Sequence, residues 1–288
     1  MTILDQYQVF TKKYPKKAFH YRGDVMNYRL FGTGEKTIVL WVGSSMFTTE
    51  AYFKLQEALA ERFQVLTVED LAMKISVERI IDCLSYLIKF IGLKKVSLLG
   101  MSHGGGLAQA FARDHASQTE NLILYNAPTR PKKGDEYAED VIKGILHTIE
   151  ELKNLRKIMP LSTIKLALLD QINQALSREE DVEFFEFLIS KYTETDERQQ
   201  MEIIRDLLSN YAFERMDFKY LNYRTLLFYS HDEDPLGGSA LIEALVDMMT
   251  NPKLQYIETD RFQLILDPKP MVQAVKDFLI PKEQKSAL

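Results

Sequence analysis

The sequence predicts an α/β protein built on a doubly wound, mostly parallel β-sheet with an inserted helical lid. Short apolar runs rich in β-branched residues alternate with helical segments, which is typical of βαβ units. The alternation stops over residues 130–220, where a charged, helical stretch contains no strand candidate, and it then resumes. We therefore expect a sheet domain made of residues 1–129 and 221–288, and a lid made of residues 130–220.

The strand predictions rest on apolar runs that end at glycine or at polar residues. Residues 19–31 predict a β-hairpin around Gly23-Asp24, and the apolar run over residues 37–42 is typical of a strand buried on both faces. Because helical segments separate the later runs, we expect those strands to be parallel. They are predicted over residues 65–68, 96–99, 122–125, 224–229 and 254–257.

The clearest helix follows Ser76, a candidate N-cap, and ends at Gly92. Its apolar residues recur at three- and four-residue spacing, which predicts one buried face: Val77, Ile80, Ile81, Leu84, Leu87, Ile88 and Ile91. Further helices of the sheet domain are predicted over residues 50–62, 104–115, 241–249 and 271–279, and lid helices over residues 137–155, 161–176 and 198–211.

Composition excludes several classes of function. The net charge of −5 and the lack of a basic stripe interleaved with aromatic residues argue against nucleic acid as a partner. Cys83 is the only cysteine, which excludes an intrachain disulfide and a cysteine-based zinc site and favours a reducing, cytoplasmic setting. No run of about 18 apolar residues occurs, so we expect a protein that does not span a membrane. The sequence predicts neither a metal nor a cofactor.

The motif Gly100-Met101-Ser102-His103-Gly104 matches the G-x-S-x-G nucleophile elbow, and it lies between a predicted strand and a predicted helix. The turn at such an elbow is so tight that its serine takes a strained backbone conformation and the flanking positions must be small. Ser102 is therefore the candidate nucleophile. The helix that follows presents free backbone N–H groups to a developing oxyanion, so the N–H of His103 is one expected donor. A second is expected from Ser44, after the strand over residues 37–42.

These residues resemble the α/β-hydrolase superfamily, and the resemblance covers nearly the whole chain. It implies the α/β-hydrolase fold, with an acid after the strand that follows the lid and a histidine after the last strand. The acid position falls on Asp234 in Ser230-His231-Asp232-Glu233-Asp234-Pro235, with Asp232 as the second choice. Without the fold context, a solvated turn residue is the plainer interpretation of either aspartate.

The histidine of this arrangement is absent from the sequence. The five histidines are at positions 20, 103, 115, 147 and 231, and none follows the acid loop. The expected position corresponds to Arg261, and arginine stays protonated at every relevant pH, so it cannot accept the proton of Ser102. His231 is the best substitute base, ahead of His103 and His147, although a loop, packing or solvated role is the plainer interpretation of each.

Two interpretations of function remain open at this point. One is a serine hydrolase of esters or other acyl compounds, in which His231 serves as an improvised base. The other is a noncatalytic binding or scaffold protein. The short connection over residues 68–74 and the final loop without a histidine resemble maspardin-like members of the superfamily, which are noncatalytic. In this interpretation Arg261 would pair with Asp234 in the present chain. Lyase or oxygen chemistry is a weaker third interpretation that no residue selects. We expect a small acyl or apolar ligand under the lid, and a protein partner if the role is scaffolding. The lid residues Phe184, Phe185, Phe187 and Leu188 either line that pocket or, more simply, pack a lid helix.

Overall fold

A computed structural model of the chain describes residues 1–44, 46–69, 76–133, 136–230, 237–258 and 261–280, without the side chains of Ser44 and Arg261. Within these residues the strands are β1 (Lys17–Tyr21), β2 (Asp24–Phe31), β3 (Thr37–Ser44), β4 (Phe47–Thr48), β5 (Gln64–Val68), β6 (Val96–Ser102), β7 (Thr119–Tyr125), β8 (Thr225–Tyr229) and β9 (Lys253–Tyr256). The α-helices are α1 (Ile3–Lys13), α2 (Phe53–Ala60), α3 (Val77–Phe90), α4 (His103–Asp114), α5 (Glu136–Leu155), α6 (Leu161–Ala175), α7 (Glu179–Lys191), α8 (Glu194–Asn210), α9 (Arg215–Phe218), α10 (Ile242–Met248), α11 (Arg261–Leu266) and α12 (Lys269–Leu279).

The strands form one mixed sheet in the order β1-β2-β5-β3-β6-β7-β8-β9, and β4 pairs with β3 as a short hairpin. The pairs β1–β2 and β2–β5 are antiparallel, whereas each neighbouring pair from β5 to β9 is parallel. The predicted mostly parallel sheet is therefore confirmed. The carboxyl ends of β5, β3, β6, β7, β8 and β9 meet at one edge, which is where ligands bind in open α/β sheets.

Strand β3 shows how the sequence builds two packed layers. Ile38 and Leu40 point into the hydrophobic cluster on one face of the sheet, and Val39 and Trp41 point into the cluster on the other face. This alternation follows from the two-residue period of a strand. Helix α3 covers the second face and begins as predicted, since the Ser76 side chain accepts a hydrogen bond from the N–H of Arg79 at 3.2 Å.

The chain between β7 and β8 contains helices α5 to α9, and its described residues add no strand to the sheet. Helix α7 packs into the core, because Phe184 and Phe185 are both 0% exposed. Phe184 contacts Phe53 of α2, and Phe185 contacts Phe47 of β4. These aromatic residues therefore join the inserted helices to the sheet domain, which confirms the packing interpretation for them.

Helix α1 was not predicted from the sequence. Thr2 and Asp5 form a reciprocal capping box at its start, with hydrogen bonds of 2.9 and 3.1 Å. Ile3, Tyr7 and Phe10 lie on its buried face, at the spacing expected of an amphipathic helix. The helix holds the amino-terminal segment against α7, where Tyr7 contacts Phe184. No helix in the described part of the chain is long and apolar enough to cross a bilayer.

Candidate functional site

Ser102 lies at a sharp junction between strand and helix. It is the last residue of β6 and the N-cap of α4, with φ 51° and ψ −132°. A positive φ is strained for a residue with a side chain, and such strain is found mainly where the surrounding structure enforces it at a functional site. The predicted elbow geometry is therefore present at the predicted residue, and the positive end of the α4 dipole lies directly behind the serine.

The glycines around Ser102 allow this junction to form. A Cβ at Gly104 would overlap the carbonyl oxygen of Trp41 in β3, and a Cβ at Gly105 would overlap the side chain of Ala127 after β7. A Cβ at Gly100 would lie 2.5 Å from the Cα of Gly105. Helix α4 thus packs against the sheet at a separation that only glycine permits.

The end of β3 lies beside the serine, as an oxyanion loop requires. Gly43 is the register partner of Ser102, and the next residue, Ser44, pairs with Phe47 in the β3–β4 hairpin. A Cβ at Gly43 would overlap the imidazole ring of His103, which is 1% exposed. The His103 ring is therefore packed under the end of β3, whereas its backbone N–H lies at the start of α4.

Three other described histidines lie away from Ser102. His147 of α5 is exposed and its Nε2 lies 3.2 Å from Glu151. His115 follows the far end of α4, about 20 Å from Ser102 at a rise of about 1.5 Å per residue. Its Nε2 lies 3.3 Å from Asp82, and burial lowers the pKa of this imidazole. His20 is on β1, four strands from β6 in the sheet order. In the described part of the chain, no side chain is hydrogen-bonded to the Ser102 hydroxyl.

The predicted acid and its neighbours fall outside the described residues: Asp234, Asp232 and His231. Strand β8 ends at Tyr229, so the acid segment starts at the same sheet edge as Ser102. The next residue, Ser230, is 3% exposed and accepts a hydrogen bond from Nδ2 of Asn126 at 3.2 Å. Arg261 begins helix α11, after β9.

Asn126 is a residue of this edge that sequence reasoning missed. It follows β7 with φ 41°, and the residue before it, Tyr125, is the register partner of Met101, the residue before Ser102. Its only sequence signal is an asparagine directly after a strand, where a left-handed residue is common. A Cβ at Gly238 would overlap the Asn126 backbone, so the chain after β8 also packs on this residue.

A cleft of about 330 Å³ lies between the carboxyl edge of the sheet and helices α7 and α8. Val42 of β3, which immediately precedes Gly43, forms part of its floor, and Leu188 and Ile203 contribute from the inserted helices. Its polar lining includes Lys16, Glu50, Glu69, Lys191, Asp196, Gln199 and Gln200. The cleft therefore reaches within one residue of the strand position beside Ser102.

A half-buried ionic network forms one side of this cleft. The Lys16 Nζ lies 3.0 Å from Glu50 and 2.6 Å from Glu69, and Arg29 donates to Glu50 at 2.7 Å. Burial alone raises the pKa of Glu50, but Lys16 and Arg29 outweigh it and lower this pKa to about 2. For Glu69 burial prevails over the two cations, so its pKa is raised. No group of three potential metal ligands occurs among the described residues.

The strand order, the elbow at Ser102 and the helical insertion after β7 define the α/β-hydrolase fold. A hydrolase from Pseudomonas aeruginosa has a similar structure, with a TM-score of 0.72 and 17% identity over 93% of this chain and 99% of that one. An epoxide hydrolase, CorEH, gives a TM-score of 0.69 and 16% identity over 93% of this chain and 99% of that one. An enol-lactonase from Burkholderia xenovorans gives a TM-score of 0.68 and 16% identity over 92% of this chain and 100% of that one.

The likeness is one of structure alone, because these identities are low. No protein-family model matches the chain. No curated protein matches it in sequence either.

Proposed function

We propose that the protein is a serine hydrolase of esters or other acyl compounds, with Ser102 as its nucleophile. The observation that supports this most directly is the strained backbone of Ser102, held by glycine contacts at the carboxyl edge of the sheet. Strain of this kind lowers the stability of the fold, and strained residues cluster at active sites, where the conformation serves the mechanism. The hydrolase names of the structurally similar proteins agree with this class of reaction.

In the proposed reaction the Ser102 hydroxyl attacks the acyl carbon, and its proton passes to the imidazole of His231. The oxyanion of the tetrahedral intermediate accepts hydrogen bonds from the backbone N–H groups of His103 and Ser44. Collapse of the intermediate releases the alcohol, which takes a proton from the imidazolium, and leaves an acyl ester on Ser102. Water then hydrolyses that ester by the same steps. Asp234 orients the imidazole, and residues 130–220 cover the ligand as a lid.

The missing histidine after β9 predicts slow turnover. In a well-characterised serine protease, removal of the triad histidine lowers kcat by about 10⁶-fold, and the residual rate comes from the oxyanion hole and from binding. An imidazole supplied from the acid loop would restore a proton acceptor, but from a different place in the sequence than the usual triad histidine. We therefore expect acylation of Ser102 to be easier to detect than multiple turnover.

A second candidate is a noncatalytic, maspardin-like protein that binds an acyl or apolar ligand, or a protein partner, with the same fold. It is favoured by the placement of His20, His103, His115 and His147, none of which is bonded to Ser102. In this alternative Arg261 pairs with Asp234 and fills the space of the missing base. The two candidates differ in one measurable property, the reactivity of Ser102.

Labelling with a fluorophosphonate, followed by intact-mass measurement, tests that reactivity. The wild-type protein is expected to gain one adduct that maps to Ser102, and Ser102→Ala is expected to gain none. Ser209→Ala, which removes an exposed serine from α8, is the matched control and is expected to label like wild type. A wild-type protein that takes up no label, and that cleaves nitrophenyl butyrate no faster than Ser102→Ala, would favour the noncatalytic candidate.

A further inference from the structure

The cleft beside the active-site edge has a charge pattern that selects among ligands. Lys16 and Arg29 balance Glu50 and Glu69 on the sheet side, with the distances given above. On the helical side, Lys191 and Asp196 provide one charge of each sign. Among the described residues, the cleft lining together with Arg29 therefore holds three cations and three carboxylates. Because these charges balance, they favour the binding of neither an anionic nor a cationic ligand.

The helical side also offers N–H groups for which no hydrogen-bond acceptor occurs among the described residues. The Lys191 ammonium lies 4.1 Å from the Phe187 ring centroid and 5.3 Å from the Tyr7 ring centroid, and none of the described carboxylates forms a salt bridge with it. Gln200 accepts a hydrogen bond from the Tyr192 hydroxyl at 3.1 Å through Oε1, which leaves its amide N–H groups available. Gln199 lines the cleft next to it. These N–H groups can donate to a ligand without breaking a hydrogen bond or an ion pair among the described residues.

The sheet side offers acceptors in return. Lys16 contacts Oε1 of Glu69, so the other carboxylate oxygen of Glu69 can accept a hydrogen bond. On the helical side, Asp196 uses Oδ2 to cap α8, where it accepts from Thr193, and its Oδ1 can accept as well. Hydrogen-bond donors and acceptors thus both line the cleft. Hydroxyl groups match such a lining best, because each one both donates and accepts.

We infer that this cleft binds the hydroxylated alcohol part of a sugar or polyol ester, whose acyl carbonyl lies at Ser102. The inference rests on the proposed function for the acyl end only. Strand spacing supports the connection, because Val42 borders the cleft and β3 lies about 4.8 Å from β6, the strand that carries Ser102. The cavity volume of about 330 Å³ lies within the range of small-ligand sites.

The test measures binding in Ser102→Ala, so that it does not depend on whether Ser102 is a nucleophile. Four butyryl esters share one acyl group and differ in the alcohol: 6-O-butyrylglucose, ethyl butyrate, butyrylcholine, and a butyryl ester of glycolate that carries an anion. Titration calorimetry, or ligand-observed NMR for weak binding, gives their dissociation constants. We expect 6-O-butyrylglucose to bind about tenfold or more tightly than each of the other three, since two or more additional hydrogen bonds form.

Two cleft variants connect that preference to the lining. Lys191→Met keeps the aliphatic stem on the aromatic rings and removes the ammonium, and Gln199→Leu removes one amide. Each is expected to weaken the binding of 6-O-butyrylglucose about 3- to 10-fold. Gln174→Leu, on an exposed position of α6, is the matched control and is expected to change nothing.

The inference is overturned if ethyl butyrate binds as tightly as the sugar ester, or if both cleft variants bind the sugar ester like their parent. Tighter binding of butyrylcholine or of the glycolate ester would overturn it in favour of a charged substrate class. If Ser102 is labelled by the fluorophosphonate but all four esters bind equally, the proposed hydrolase activity stands and the proposed sugar-ester specificity is rejected. If 6-O-butyrylglucose binds preferentially but Ser102 is not labelled, the proposed sugar binding stands and the proposed hydrolase activity is rejected.

Discussion

The imidazole of His103 occupies the space that a side chain at position 43 would need, so Gly43 and His103 fit together as a pair at the base of the proposed oxyanion hole. The ring is buried and lies under the strand residue whose register partner is Ser102. This contact sets the distance between the end of β3 and the start of α4. The two backbone segments that supply the proposed oxyanion donors are therefore positioned by a side chain outside the reaction itself.

Gly43→Ala is expected to destabilise the fold, because its new methyl group would overlap the His103 ring and force β3 and α4 apart. Overpacking of a rigid core typically lowers the free energy of unfolding by about 1–3 kcal/mol. Urea denaturation gives that value. Gly144→Ala is the matched control, since a Cβ there meets nothing within 4 Å and the exposed helical position should gain up to about 1 kcal/mol. Equal stability of Gly43→Ala and wild type would contradict the packing described for His103.

The backbone of Ser102 predicts an unusual order of stability. At φ 51° and ψ −132° glycine is unstrained, whereas any side chain is strained. Ser102→Gly is therefore expected to be about 1 kcal/mol more stable than Ser102→Ala in thermal or urea unfolding. At Thr148, an exposed position inside helix α5, the order should reverse, with Thr148→Ala the more stable. If alanine were the better residue at both positions, the strained elbow would be excluded.

The strands and the elbow could be predicted because each is encoded by a pattern within a short stretch of the sequence. Alternation of buried residues in β3 and the glycines around Ser102 can be identified within a few positions of the chain. Helix α1 was missed because only Ile3, Tyr7 and Phe10 mark its buried face among polar residues. Local patterns also could not predict that Asn126 would bond to Ser230, which lies 104 positions away in the chain.

The ionic network beside the cleft also could not be predicted from local sequence patterns. Lys16, Arg29, Glu50 and Glu69 come from four separate segments of the chain, and no motif connects them. Only the sheet order brings them together, since β5 lies between β2 and β3. The charges that shape the cleft thus follow from topology, whereas the nucleophile elbow follows from a five-residue pattern.

Glu50 predicts a stability difference that depends on pH. Its pKa in the folded protein, about 2, lies below the value of 4.5 expected in the unfolded chain. The ionised carboxylate therefore stabilises the fold above pH 4.5, and that contribution is lost as the pH falls from about 4.5 towards 2. Glu50→Gln should lower the free energy of unfolding at pH 7 by on the order of 3 kcal/mol.

The measurement is urea denaturation of wild type and Glu50→Gln at several pH values between 7 and the acid limit of folding. The difference between the two proteins should shrink steadily as the pH falls below 4.5, the ordinary value of the carboxyl group. Glu243→Gln, at an exposed position of α10, serves as the control and should differ little from wild type at any pH. A difference for Glu50→Gln that stays constant over this range would show that the carboxylate is not held by Lys16 and Arg29.

Arg261→His tests whether the missing histidine is what limits the proposed reaction. Residue 261 begins α11 after β9, and the sequence predicts that it stands at the position of the triad histidine. A neutral imidazole there could accept the Ser102 proton, and general-base catalysis is worth about 10²-fold or more in rate. Hydrolysis of nitrophenyl butyrate by Arg261→His should therefore exceed that of Arg261→Gln by about this factor. Its kcat/KM should rise with pH around 6.5, since only the unprotonated ring is a base. The double variant Arg261→His/Ser102→Ala should abolish the gain, and a gain that survives without the serine would mean that the imidazole acts on water or substrate directly.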